Sequence, residues 1–535
     1  MPPSILVVTP SHRCDPSLAI AANRAGAVGL LDLGLSESGE VRRQAVARLA
    51  RFATQPESWG VRWDTLGSET RLPSALSGLW REPLPYLLVA GLRGRGSSAQ
   101  IRSALEQART LARVVLLEVY DAESARAAAT GGIDGVVIKA NEAGGRVSAS
   151  SAFILLQTLN GRMDKPFWVL GAWGPDTAAA AMLAGATGVA LGEELWLTRE
   201  SPLSPAEKER FARLDGSETV CVGTPQASFR LLRPGDPAVL NVLEARVEEG
   251  TGWPEALYDE WAVLADPSGA DRGHEASPAL VPLGQGIAFA SRLADRFVTV
   301  GGVIHHYRET IRHNLNELER RPALAPGNPL AELNGTRFPI LQGPMTRVSD
   351  VAAFCASVAE NGALPFLALA LMRGPEVRKL LEETEACLGE RPWGVGILGF
   401  VPPELRREQL DAVADRKPRF AVIAGGRPSQ ARELENAGIA TFLHVPSPGL
   451  LESFLAQGAR RFIFEGRECG GHVGPRSSLV LWQSAIDILR DARIKDPQNV
   501  QVVFAGGIHD DLSSAMVQAL APPLVERGMK VGVLM

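Results

Sequence analysis

The sequence predicts an α/β protein built as two tandem (β/α)8 barrels, the first degenerate and the second lacking its last helix. Three observations carry this. Short apolar, β-rich runs alternate with Ala/Leu/Glu/Arg-rich helical runs, the rhythm of βα units on a parallel sheet. Eight strand candidates fall in each half, the count of a closed barrel. Two local matches recur in order at nearly equal spacing: Pro10 with Pro344, and Glu142-Ala143-Gly144-Gly145-Arg146-Val147 with Glu468-Cys469-Gly470-Gly471-His472-Val473, which reads as an internal repeat.

In chain order, the first eight candidates are 4–9, 28–33, 59–63, 86–90, 113–119, 135–139, 167–171 and 188–191. The second eight are 338–342, 364–369, 393–398, 420–424, 441–445, 461–464, 500–505 and 531–535. Most are apolar throughout, as strands buried on both faces must be. Helical runs at 349–361, 375–387, 429–437, 448–456 and 478–492 separate strands of the second set. The expected domains are therefore 1–200, a degenerate barrel, and 335–535, a complete set of strands, with 201–334 a helical appendage and linker. Within that middle segment, 232–237 and 266–278 read as loop, 287–294 and 307–319 as helices, the second largely solvated.

Composition excludes several classes of function. Lys+Arg 55 against Asp+Glu 60 gives a net charge of -5, with no basic excess to neutralise a nucleic-acid backbone. The longest apolar stretches are about half of the ~20 residues a membrane span needs, and the N-terminus has no signal-peptide pattern. Five scattered cysteines without a CxxC pair fit free thiols in a cytoplasmic protein, and no metal-binding motif is readable.

Barrel enzymes place their sites at the C-terminal ends of the strands. In the second set those ends are rich in glycine, which lets backbone approach a ligand. Gly506 and Gly507, ahead of a helix, suit a phosphate. His472, flanked by small residues and close to Glu468, suits general acid–base work; His444 and His509 also fall at strand ends and are candidates to line a pocket with Glu468. Cys469 reads as a small packing residue.

Gln342-Gly343-Pro344-Met345, the run Glu468 to Gly474 and Ala505-Gly506-Gly507-Ile508 resemble the nitronate monooxygenase (2-nitropropane dioxygenase) family of FMN-dependent barrels, which also includes flavin-dependent enoyl-acyl-carrier-protein reductases. The stretch 339–535 is similar to the branch found in polyketide and polyunsaturated-fatty-acid synthases. The resemblance implies FMN bound by Gly343, Pro344, Met345, Gly470, Gly471, Gly506 and Gly507, with His472 as the catalytic proton-transfer residue and NAD(P)H as a reductant. It implies an acyl-carrier-bound or small-molecule substrate, and leaves room for downstream synthase domains and a homodimer. An enoyl-reductase-like component of a synthase, a nitronate monooxygenase on a free substrate and a non-catalytic scaffold all stay open. Two departures matter. The first copy has Arg146 in place of His472, Thr9-Pro10-Ser11 in place of Gly343-Pro344-Met345, and Gly171-Ala172-Trp173-Gly174 at its seventh strand end; it is expected to be catalytically silent, though Gly188 and Gly192 leave anion binding open. The family pattern also continues past the last strand with a Gly turn and a helix that this sequence does not contain.

Overall fold

Eight parallel strands close the first sheet on itself. They are β1 (Ser4–Val8), β2 (Val28–Asp32), β3 (Trp59–Asp64), β4 (Leu84–Ala90), β5 (Ala112–Val119), β6 (Gly135–Lys139), β8 (Phe167–Leu170) and β9 (Gly188–Leu191), with β9 pairing back to β1. The computed structural model describes residues 4–11, 13–34, 39–64, 83–91, 98–129, 132–224, 228–249 and 280–535; the expected loop at 266–278 lies outside them. The chain divides into two units, Met1–Arg312 and His313–Met535.

The second unit repeats the arrangement. β12 (Ile340–Leu341), β13 (Phe366–Ala368), β14 (Gly394–Leu398), β15 (Phe420–Ala424), β16 (Ala440–His444), β17 (Arg461–Glu465), β18 (Gln501–Ala505) and β19 (Lys530–Leu534) form a parallel sheet in which β12 pairs β19. The remaining seam is joined by a bridge between Leu341 and Leu364, where Leu364 N–H donates to Ile340 O and Gln342 N–H to Leu364 O, both at 2.9 Å. Every second side chain of a strand points inward. In this barrel Leu341, Phe366, Val422, Phe442, Ile463, Val503 and Leu534 fill the interior. Leu330, from the helix Pro329–Asn334, joins that cluster, and a Cβ at Gly532 would meet its Cδ2 at 2.4 Å.

The middle segment departs from the helical appendage expected of it. β10 (Thr219–Val222) and β11 (Ser228–Leu232) pair antiparallel, and β11 pairs with β7 (Gly145–Val147), the segment that follows β6. Strands with Arg and Cys interleaved among few apolar residues do not announce themselves by periodicity. The helix Val300–Arg320 is also less solvated than its polar composition suggests. Val303, Ile304, Tyr307 and Ile311 are fully buried at helical spacing, and Tyr307 donates its hydroxyl to Trp173 O at 2.5 Å. Among the described residues, no helix is long and apolar enough to cross a membrane.

At the C-terminal end of the first barrel lies a buried ion network. Arg62 bonds Asp32 at 2.6 Å, Glu118 at 2.7 Å and Asp64 at 3.1 Å, and Tyr120 donates to Glu118 at 2.9 Å. Burial alone would raise the Glu118 carboxyl; Arg62, Lys139 and the two hydrogen-bonding side chains outweigh it and hold the group at about 2. That depressed value stabilises the fold above the unfolded value of 4.5, and the contribution is lost as pH falls toward 2. Replacing Arg62 with Ala leaves three buried carboxylates without their cation and is expected to cost about 3–5 kcal/mol. Chemical unfolding of the full chain, with hydrogen exchange at β3 and β5 amides to locate the loss, checks it.

Candidate functional site

The two barrels share one hydrogen-bond register, so their strand ends can be compared position by position. Lys139 pairs Leu170 as Glu465 pairs Ala505; Glu118 pairs Val137 as His444 pairs Ile463. Arg62 pairs Asp32 as Gly396 pairs Ala368. The last inward layer is therefore Asp32, Arg62 and Asp64, Ala90, Glu118 and Lys139 in the first barrel. It is Ala368, Gly396 and Leu398, Ala424, His444 and Glu465 in the second. The same register sets Thr9 opposite Pro344, one residue off the sequence match of Pro10 with Pro344.

The first mouth is filled. Beyond the Arg62 network, Arg146 is buried and its guanidinium lies 4.3 Å from the centre of the Tyr120 ring. The β7–β11–β10 sheet holds that segment as a strand. The turns after β8 and β9, where barrels commonly bind phosphate, are occupied by carboxylates of the chain itself. Glu194 accepts Trp173 N–H at 2.9 Å and Gly192 N–H at 2.8 Å; Glu193 accepts Gly144 N–H and Gly284 N–H, both at 2.9 Å. A cavity of about 40 Å³ remains, lined by Thr9, Asp32, Arg62, Lys139, Gly144 and Glu193 among others. That is room for water, not for a cofactor. Burial, and then the adjacent Glu193, push Glu194 up to about 8 against its two backbone hydrogen bonds.

The second mouth is different. Three of its six layer positions are Ala368, Gly396 and Ala424, Leu398 is a fourth uncharged one, and Pro344 fills the space beside Gly396, where a Cβ would meet its Cβ at 2.2 Å. Opposite them, His444 Nδ1 lies 2.9 Å from Glu465 Oε2, and Cys469 donates its thiol to Glu465 Oε1 at 3.0 Å. Cys469 thus has a polar partner as well as the packing expected of it. Burial and then Glu465 push its thiol well up, out of the thiolate range. Burial would raise Glu465, yet His444, Cys469 and His472 together hold it below the ordinary carboxylate range.

The predicted site residues fall around this layer. Gly343 packs on Leu534, where a Cβ would come within 2.8 Å of Cδ2; Met345 is 41% exposed on the turn after β12. Gly470 and Gly471 face open space, the latter at φ +100°. His472 is exposed, edge-on to Phe400 with ring centres 5.0 Å apart. Gly506 and Gly507 adopt φ +118° and +75°. Glu468 is engaged elsewhere: its Oε2 accepts both the N–H and the hydroxyl of Ser478 at 2.7 Å, capping the helix Ser478–Asp491. His509 is exposed, 3.7 Å from Asp510. Sequence reasoning missed Glu465, which closes an apolar run and gains meaning only from its neighbour across the sheet. It also missed Phe400 and Leu371, apolar and exposed on the turns after β14 and β13. Among the described residues, no cluster of three His, Cys, Asp or Glu side chains could hold a metal ion.

No family model matches the chain. Over 202 residues (38% of the chain, 54% of the relative) it is 27% identical to a Rhodococcus jostii protein named (3aS,4S,5R,7aS)-5-hydroxy-7a-methyl-1-oxo-octahydro-1H-indene-4-carboxyl-CoA dehydrogenase. Over 182 residues (34% of the chain, 49% of the relative) it is 28% identical to the Mycobacterium tuberculosis protein of the same name. The chain spans about half the length of the curated relatives it matches. Among solved structures it is similar to FabK from Thermotoga maritima, with a TM-score of 0.47 and 21% identity, covering 60% of this chain and 96% of that one. It is also similar to the nitroalkane oxidase from Streptomyces ansochromogenes, with a TM-score of 0.45 and 18% identity, covering 58% and 97%.

Two outcomes follow from the geometry. Glu194 holds its proton more tightly folded than unfolded, so its contribution is complete below the unfolded value of 4.5 and is lost as pH rises through about 8. The melting temperature of the full chain between pH 5 and 8 should therefore fall less steeply in Glu194→Gln than in the wild type. In the second barrel, a Cβ at Gly506 would come 2.5 Å from Ser478 Oγ at a backbone angle that favours glycine. Gly506→Ala should cost about 1–3 kcal/mol in urea unfolding.

Proposed function

We propose that the second barrel binds FMN across its strand ends and acts as an oxidoreductase on an acyl thioester, as an enoyl-reductase-like component of a polyketide or fatty-acid synthase. One observation carries the reading. The last inward layer is uncharged on one side (Ala368, Gly396, Leu398, Ala424) and ionisable on the other (His444, Glu465), beside a Gly506–Gly507 turn. A planar ring needs an apolar floor, and the uncharged side, with Pro344 packed on Gly396, would supply one. The motif resemblance supports the flavin; the carboxyl-CoA in the name of the curated relatives supports a thioester.

The residues present fit the cofactor. Gly506 and Gly507, on the turn before the helix Asp511–Leu520 that Asp510 caps by accepting from Ser513 N–H at 2.8 Å, would let its phosphate approach the backbone. Met345, Leu371 and Phe400, at 41%, 75% and 58% exposure on the turns after β12, β13 and β14, are apolar groups that a ring bound there would cover. Gly470 and Gly471 leave open space beside the layer. When bound, the flavin supplies hydride transfer from NAD(P)H to substrate. His472, on the exposed loop, would exchange a proton with solvent or substrate. The first barrel, with its layer filled by charge, would serve as a non-catalytic neighbour.

Anaerobic titration of the FMN-loaded chain with NAD(P)H tests this, following flavin absorbance. Bleaching, followed by reoxidation with an enoyl thioester, is the expected result. A flavin that NAD(P)H leaves oxidised but a nitronate reduces would favour the monooxygenase reading. A chain that retains no flavin would overturn both and leave a scaffold. Ala424→Phe should abolish FMN retention while far-UV circular dichroism stays unchanged, because the added ring fills the layer.

A further inference from the structure

We infer that His444, oriented by Glu465, is the buried proton donor of the second barrel, in place of the exposed His472. The inference rests on the proposed reading of the mouth as the reaction site. Both residues sit in the last inward layer, on adjacent strands, with Nδ1 and Oε2 2.9 Å apart. The His444 side chain is only 10% exposed, both ring nitrogens are buried, and neither completes a well-aligned hydrogen bond among the described residues, so the contact with Glu465 is an ion-pair contact. A buried imidazole with a carboxylate against one nitrogen and no bond at the other is suited to proton transfer. The layer around it differs in charge from that of the first barrel. In the first barrel the matching positions hold Glu118 and Lys139, and Arg62 reaches across to bind Glu118. In the second, Gly396 stands at the Arg62 position with Pro344 packed beside it, so no cation reaches the pair from that strand.

The titratable groups acting on the pair are the Cys469 thiol, bonded to Glu465, and His472 from the same loop; Glu468 lies beside Cys469. The neighbouring strand β15 ends in Ala424 and Gly425 and contributes none. Glu465 keeps the proton on Nδ1, so the imidazolium gives up the proton on Nε2. That proton goes to the α-carbon of the enoyl thioester, where the π pair of the double bond becomes the new C–H bond. The hydride equivalent, carrying the other two electrons, comes from the nicotinamide reductant and ends on the β-carbon. His444 is left neutral and regains its proton from water.

Two measurements test this, one of them without cofactor. ¹⁵N spectra of the eight histidines of the full chain, with the His444 ring assigned from His444→Asn, report tautomer and titration midpoint. His444 should carry its neutral-form proton on Nδ1, and Glu465→Gln should remove that tautomer preference. In the FMN-loaded chain, the pH profile of kcat for enoyl reduction should lose its basic limb in His444→Asn, and kcat should fall by about tenfold or more in Glu465→Gln. Bleaching by NAD(P)H should persist in both. A ring protonated on Nε2 in the neutral form, or a limb that survives in His444→Asn and vanishes in His472→Asn, overturns the assignment. A wild type that bleaches and turns over while His444→Asn does so equally well also overturns it, yet leaves the proposed function standing. A wild type that retains no flavin overturns both.

Discussion

A β-strand alternates its side chains between two faces, and in a closed barrel that rule leaves one final inward side chain at each strand's C-terminal end. What stands there decides whether the barrel has an interior surface to offer. The two barrels of this chain keep the same register and the same apolar layers beneath. Leu30, Leu88, Leu116 and Val137 correspond to Phe366, Val422, Phe442 and Ile463. They differ at the last layer, where one carries Asp32, Arg62, Glu118 and Lys139 and the other Ala368, Gly396, His444 and Glu465.

A buried cluster of five ionisable groups is not an obvious way to strengthen a protein. The desolvation of Arg62 and its carboxylates offsets most of their attraction, so apolar residues of similar size would hold the barrel about as well. What the cluster does is occupy volume and fix geometry. The three carboxylates leave Arg62 a single orientation, and burial lowers the Lys139 amine against the pull of Glu118. The carboxylates of Glu193 and Glu194 act likewise on the backbone N–H groups of the neighbouring turns. The N–H groups of Gly144, Trp173, Gly192 and Gly284 thus already have acceptors within the chain.

The sixteen barrel strands are legible in the sequence because parallel strands covered on both faces must be nearly continuous apolar runs. Gly135–Lys139, Gly188–Leu191 and Phe420–Ala424 lie where the pattern puts them to the residue. The small β7–β11–β10 sheet is not legible, because its pairing joins residues some eighty apart and its strands are three to five residues long. The face of Val300–Arg320 was readable in principle from Val303, Ile304, Tyr307 and Ile311, but the histidines and arginines between them mask it. The glycines and His472 stand out as a linear motif. The His444–Glu465 contact does not, since it forms across two strands and twenty-one positions. The Arg62 contacts hide for the same reason, with partners thirty and fifty-six residues away.

Glu142 and Glu468 occupy the same place in their copies, and each reaches forward ten residues to the start of the next helix, Glu142 to Ala152 N–H and Glu468 to Ser478 N–H. Each carboxylate thereby ties the root of the excursion after the sixth strand to its far end. With both ends of the excursion tied, the residues between them can change without altering the path of either strand or helix. One copy has used that freedom to lay down a strand edge around Arg146, the other to present Gly470, Gly471 and His472 to solvent. The site-bearing loop is in this sense a cassette in a fixed frame, and its content differs between the copies while its anchors do not.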